Sequence, residues 1–152
     1  MTSELFGERI YARRKAADWK DAVDLAGRVW LEQEFCEQKY IDLIKDQLER
    51  NNAYAVIIPG LVLLHATSGF GVKKNSLMLI TLAQGVDFGH EENDPVRVMI
   101  CFTSLGQNDH LDSMQRIARM LFDPDFVEKV CAAESDEALK DLILMMEQEE
   151  HV

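Results

Sequence analysis

The chain has 152 residues, 47% of them apolar, and a formal net charge of −11 from 16 Lys and Arg against 27 Asp and Glu. This length suits one domain over residues 1–152 that buries roughly 70% of its unfolded surface, and the acidic balance excludes the basic footprint that nucleic acid requires. Three scattered cysteines without a CxxC, no signal-like N-terminus and no apolar run near ~20 residues argue against disulfides and membrane insertion, so the expected setting is the reducing cytoplasm.

Residues 8–14, ERIYARR, alternate weakly and predict an edge strand. Trp19, Ala22, Val23, Ala26, Val29 and Trp30 then recur at helical spacing, with Asp18 placed to cap them. A second helix is expected over 38–50, with Tyr40, Ile41, Ile44 and Leu48 on one side. The apolar runs 55–58 and 61–64 read as buried strands joined by Pro59-Gly60. Residues 66–76, ATSGFGVKKNS, form a Gly-containing loop. Strands are expected at 77–82 and 96–105, separated by the polar, turn-rich DFGHEENDP.

The last third reads as helical. Leu111, Met114, Ile117, Ala118, Leu121 and Phe122 define an amphipathic helix, with Asn108 or Asp109 as its cap and His110 in its first turn. A short helix follows over 124–132. Ser135 opens a closing helix with Asp136 and Glu137 in its first turn, where the helix dipole favours acids. Strands flanked in sequence by helices imply an α/β fold: a single domain with a mixed β-sheet flanked by helices on both faces.

Most motif chemistries fail here. Gly69-Phe70-Gly71 followed by Lys73-Lys74 looks like a phosphate loop, but the third glycine of GxGxxG and the whole of GxxxxGK[ST] are missing. GxSxG and HExxH are absent too. Lys73-Lys74 and Arg13-Arg14-Lys15 read as solvated basic spots.

His65 stands apart. It ends an apolar run and precedes the small residues Ala66-Thr67-Ser68-Gly69, which let another molecule approach. Neutral imidazole is a nucleophile near pH 7. By position alone, a rim histidine with a satisfied hydrogen bond is the plainer reading. His110, at a helix start where unpaired N–H groups favour anions, is similarly ambiguous. His90 and His151 read as solvated bystanders.

The order of these residues carries a resemblance. Ile58-Pro59-Gly60-Leu61-Val62-Leu63-Leu64-His65-Ala66, then Gly85-Val86-Asp87-Phe88 with Asp94-Pro95-Val96, then Asn108-Asp109-His110-Leu111 resemble the landmarks of the enzyme IIA component of the bacterial sugar phosphotransferase system, mannitol/fructose type. Gly71-Val72-Lys73-Lys74 and Glu91-Glu92-Asn93-Asp94-Pro95-Val96 are similar to its L-ascorbate-type branch. The resemblance implies a phosphocarrier that accepts a phosphoryl group from HPr on His65. It would pass the group to a IIB partner serving a IIC membrane transporter, without cofactor, nucleotide or metal. It implies His110 as an assisting neutral donor, with backbone N–H groups of the loop holding Thr67 and Ser68, and Arg50, as binding groups. The family usually has Pro before the active histidine, where this chain has Leu64. That departure keeps a second reading open, a regulatory or binding module whose His65 senses phosphorylation or is inactive. A third is a metal protein using His65, His90 and His110.

Overall fold

The computed structural model describes residues 1–51, 54–106 and 108–149. Its elements in chain order are β1 (Ile10–Arg14), α1 (Trp19–Glu32), α2 (Gln38–Arg50), β2 (Val56–Ile58), β3 (Leu61–Leu64), β4 (Ser76–Val86), β5 (Val96–Thr103), α3 (Leu111–Leu121), α4 (Phe126–Ala132) and α5 (Asp136–Glu149). The strands form one sheet in the order β1-β4-β5-β3-β2. It is mixed: β1 and β4 are parallel, β4 and β5 antiparallel, β5 and β3 parallel, and β3 and β2 antiparallel.

Side-chain alternation divides the sheet's two faces. Met78, Ile80, Leu82, Met99, Cys101, Val62 and Leu64 pack against Ala22, Val23, Ala26 and Trp30 of α1 and Tyr40, Ile41, Ile44 and Leu48 of α2. Leu77, Leu79, Val98, Ile100 and Leu61 pack on the other face against Ile117, Met120, Phe126, Val130, Leu139 and Ile143 of the three later helices. Helices therefore cover both faces, as the sequence pattern implies.

Local signals set several boundaries. The Asp18 carboxylate accepts the Asp21 N–H at 2.8 Å and opens α1. Ser135 Oγ accepts the Ala138 N–H and opens α5. Gly60 turns β2 into β3 at φ +82°, a conformation that glycine adopts without strain. β4 runs on to Val86, beyond the expected end at 82, because Val86 still pairs with Val96 while Ala83, Gln84 and Gly85 are exposed.

Two expectations need correction at α3. Asn108 and Asp109 do not cap it with their side chains: His110 itself occupies the cap position, and its carbonyl accepts the Met114 N–H. Asp109 instead accepts a hydrogen bond from Asn75. The buried stripe runs through Ile117 and Met120, while Phe122 is 82% exposed, Leu111 is exposed and Ala118 faces solvent.

The topology decides where the site lies. β3 and β5 run parallel, so His65 and the loop after β5 emerge at the same end of the sheet. β4 starts at that end, bringing the loop 66–75 with it. The β4–β5 hairpin, which carries His90, lies at the opposite end. Leu64 is completely buried and pairs with Cys101. The Leu63 N–H bonds Ala55 on the β2 side and the Gly60 carbonyl bonds Val98 of β5, so alternation turns the Leu64 N–H toward β5.

Candidate functional site

His65 lies one residue beyond β3, half-buried. Its Nδ1 is 2.9 Å from the Leu63 carbonyl oxygen. A carbonyl can only accept, so Nδ1 carries the hydrogen and neutral His65 keeps its lone pair on Nε2. Burial pulls the imidazole below the ordinary histidine range, partly offset by the Leu63 carbonyl, so the neutral nucleophilic form is favoured.

Aromatic rings hold this imidazole. Register places His65 beside Phe102, and the two rings stack with centroids 4.6 Å apart and planes 11° apart. Tyr54 meets His65 edge-on at 5.7 Å. The peptide unit after His65 is bonded at both ends. Tyr54 Oη donates to the His65 carbonyl at 2.8 Å, and the Ala66 N–H donates to Tyr40 Oη at 3.1 Å. Tyr40 Oη in turn donates to the Phe102 carbonyl at 2.8 Å. Burial raises the pKa of both phenols, so they act as neutral hydroxyls.

His110 reaches the same ring, with its imidazole edge-on to Phe102 at 5.4 Å. It is buried, and Nε2 donates to the Thr103 carbonyl. The sequence suggests His110 as a neutral donor; here its Nε2 hydrogen is already given to Thr103. With the Nε2 hydrogen held by Thr103, the Nδ1 of neutral His110 is an acceptor. Donation from Nδ1 to an anion requires the imidazolium form.

The loop after His65 narrows the backbone donors. The Ala66 N–H goes to Tyr40, and the Gly69 N–H to the Ser104 carbonyl at 2.7 Å. Among the described residues the N–H groups of Thr67 and Ser68 remain outside the loop's own hydrogen bonds. Thr67 Oγ1 accepts from Gln47 Nε2 at 3.1 Å, which fixes the hydroxyl and leaves its own hydrogen to donate. The loops from the two strand ends are tied together, since Asn75 Oδ1 accepts the Leu105 N–H and Asn75 Nδ2 bonds Asp109.

Arg50 ends α2, one turn beyond Gln47, so it belongs to the same neighbourhood. Its exposed guanidinium pairs with Asp46 at 3.1 Å rather than reaching His65. Such an exposed i,i+4 pair is weak, about 0.3–0.5 kcal/mol, and yields readily to a stronger anion.

The three histidines do not converge. His90 Nδ1 accepts the Asn93 N–H in the hairpin loop, where the Asp94 carboxylate also gathers the N–H groups of Phe88, Gly89 and His90. Among the described residues no group of three or more His, Cys, Asp or Glu could hold a metal ion. His151 lies outside the described residues. The cysteines are buried, with Cys36 pushed up to about 11 and Cys101 raised further, so none presents a thiolate. Lys73-Lys74 packs beside Phe35, with Lys74 Nζ 5.2 Å from that ring.

Residues 5–145 match the model of a family described as phosphoenolpyruvate-dependent sugar phosphotransferase system, EIIA 2. The chain belongs to this family. An ascorbate-specific PTS system EIIA component of Shigella boydii is 30% identical over 88% of each chain. The solution structure of the mannitol-specific cryptic phosphotransferase enzyme IIA of Escherichia coli has a TM-score of 0.81 and 27% identity, covering 91% of this chain and 94% of that one. A complex of mannitol enzyme IIA with phosphorylated enzyme IIB from E. coli has a TM-score of 0.77 at 23% identity, covering 93% of this EIIA chain and 98% of the other; that likeness is one of fold. No helix of the described residues in this EIIA domain is long and apolar enough to cross a membrane.

Proposed function

We propose that this EIIA chain is a phosphocarrier working through a phosphohistidine at Nε2 of His65. The observation that carries the proposal is the hydrogen bond from Nδ1 to the Leu63 carbonyl, which leaves Nε2 as the nucleophilic nitrogen on a ring held by Phe102. Nε2 attacks the phosphorus of phosphorylated HPr in line. The new P–N bond forms as the bond from phosphorus to the donor histidine breaks, and the electron pair returns to the donor imidazole. The reverse geometry hands the group to a IIB protein coupled to a IIC transporter. This is covalent nucleophilic catalysis divided among proteins, and positioning is its main contribution.

The equatorial phosphoryl oxygens carry the charge. In this reading the N–H groups of Thr67 and Ser68 and the Thr67 hydroxyl receive them. Arg50, once released from Asp46, supplies positive charge, and His110 assists from beside Phe102. The ascorbate-specific relative supports a sugar acid of that kind as the transported substrate, and the mannitol-type relative supports a hexitol as the competing reading. The partners fit a cytoplasmic setting for this EIIA domain.

The test is a chase. The protein labelled from phosphorylated HPr is mixed with purified ascorbate-type or mannitol-type IIB. Loss of label from this chain with its appearance on IIB is the expected result. A labelled chain that retains its phosphoryl group with every IIB would favour the regulatory reading, and failure of sugar-uptake complementation would support that outcome.

A further inference from the structure

The carbonyl of His65 and the N–H of Ala66 belong to one peptide unit, and two tyrosine hydroxyls from different parts of the chain hold its two ends. Tyr54, just before β2, donates to the carbonyl. Tyr40, from α2, accepts the N–H. Tyr40 is 1% exposed, and its hydroxyl also bonds the Phe102 carbonyl, the backbone of the residue on which His65 stacks.

We propose that Tyr40 and Tyr54 are positioning residues that clamp the His65–Ala66 peptide and thereby hold the His65 ring in the tautomer with its hydrogen on Nδ1. The proposal rests on the phosphocarrier reading for its kinetic consequence but not for its structural one. Fixing this peptide plane fixes ψ of His65. The ring reaches back two residues to the Leu63 carbonyl, so a strand end released from its two hydroxyls lets the His65 Cα shift and carries Nδ1 away from its acceptor. The Phe102 platform would shift as well, because the hydroxyl that holds Ala66 holds Phe102 too. A core position on α2 needs only an apolar ring. The hydroxyl on that ring finds a donor and an acceptor in the two strand ends that build the site, as a buried phenol must.

Neither tyrosine touches the reacting nitrogen through its hydroxyl, so the effect must pass through the backbone. It should lower the rate of transfer rather than the capture of the donor. A displacement below about 1 Å at a nucleophile can cost up to roughly 100-fold in rate.

The test uses the full chain and the variants Tyr40→Phe, Tyr54→Phe and the double variant, each of which keeps the ring. Ile143→Val, in the opposite core face, serves as the control for general destabilisation. Two readouts are taken. Nitrogen-15 NMR of the imidazoles reports the tautomer of His65 in the unphosphorylated protein, and rapid-quench transfer from phosphorylated HPr reports kcat and KM. Wild type and Ile143→Val should show one tautomer with hydrogen on Nδ1. Each Phe variant should show a mixed population and a kcat lower by about tenfold with KM within twofold, and the double variant a larger loss. An unchanged tautomer in folded Tyr40→Phe and Tyr54→Phe would overturn the clamp. So would a kcat loss matched by Ile143→Val. The tautomer measurement needs no phosphoryl donor, so it decides the clamp even if wild-type protein takes no phosphoryl group, a result that would sink the phosphocarrier reading instead.

Discussion

The imidazole of His65 lies on the ring of Phe102, face to face at 4.6 Å, one residue beyond the last paired positions of β3 and β5. The same Phe102 ring receives the edge of His110. One aromatic side chain thus stands between two histidines that are 45 positions apart in sequence and sets the plane of the first. Phe102→Leu keeps the apolar volume but removes the platform. An offset aromatic pair contributes about 0.5–1.5 kcal/mol beyond its buried area, so a loss of stability in that range is expected. Transfer should slow as the ring of His65 loses its fixed plane, and a variant with wild-type kcat would remove Phe102 from the account.

The pH dependence follows from the burial of His65. Its pKa lies below the ordinary value, so the unfolded chain binds more protons than the folded one between the depressed value and about 6.5. Stability from this group is therefore fully present above about 6.5 and declines as pH falls toward the folded value. The acid limb of the rate of phosphoryl acceptance should likewise lie below 6.5, because protonation removes the Nε2 lone pair. Titration of the His65 ring by NMR checks both, and a midpoint above 6.5 would refute the burial argument.

His110→Ala tests assistance by the second histidine. The substitution leaves the Thr103 carbonyl without its donor, at a cost of about 1–3 kcal/mol. Loss of a side chain that assists the phosphoryl group should slow transfer by roughly 100-fold. His65 should still be labelled. Rates within about twofold of wild type would reject the role, and complete loss of labelling would make His110 the acceptor.

Leu64→Pro tests the register of β3. Proline removes an N–H that faces β5 and trims a fully buried side chain, so unfolding free energy should fall by about 1–3 kcal/mol. The family's usual proline at this position implies that His65 keeps its place, so labelling should persist. Denaturant unfolding together with labelling reads both, and wild-type stability would mean that the Leu64 N–H contributes nothing to the ladder.

Away from the site, Glu147 joins the two ends of the chain. Its buried carboxylate accepts from the Ser3 hydroxyl and from the Glu4 N–H at 3.0 Å. Glu147→Ala should cost about 2–3 kcal/mol, by leaving buried donors unmatched, and should expose residues 1–7 to protease. Unchanged hydrogen exchange at Glu4 and Phe6 would contradict this.

Much of this architecture is visible in the sequence itself. The α1 cap at Asp18, the span of α2 and the turn at Pro59-Gly60 are each dictated by local chemistry, and the structure follows them. His65 is legible because an apolar run ends on it. The misses share a cause, in that they depend on contacts distant in sequence. Asp109 fails to cap α3 because Asn75, 34 positions earlier, takes its carboxylate. The apolar face of α3 is rotated because its neighbours leave Phe122 and Leu111 in solvent. Tyr40 is readable as one of four residues on a helical stripe, but nothing local indicates that its hydroxyl meets Ala66 and Phe102. A tyrosine at an otherwise aliphatic core position was the available signal. The direction of the His110 ring depends on Thr103 and is likewise invisible in the sequence.

The measurement that bears most directly on the central claim is the mass of the intact protein under alkaline conditions after incubation with enzyme I, HPr and phosphoenolpyruvate. Wild type should gain the mass of one phosphoryl group, labile to acid. His65→Ala, folded by circular dichroism, should gain none. A wild-type protein that stays unmodified, or a His65→Ala variant that still takes up the group, would contradict the assignment of His65 as the phosphoryl-carrying nucleophile.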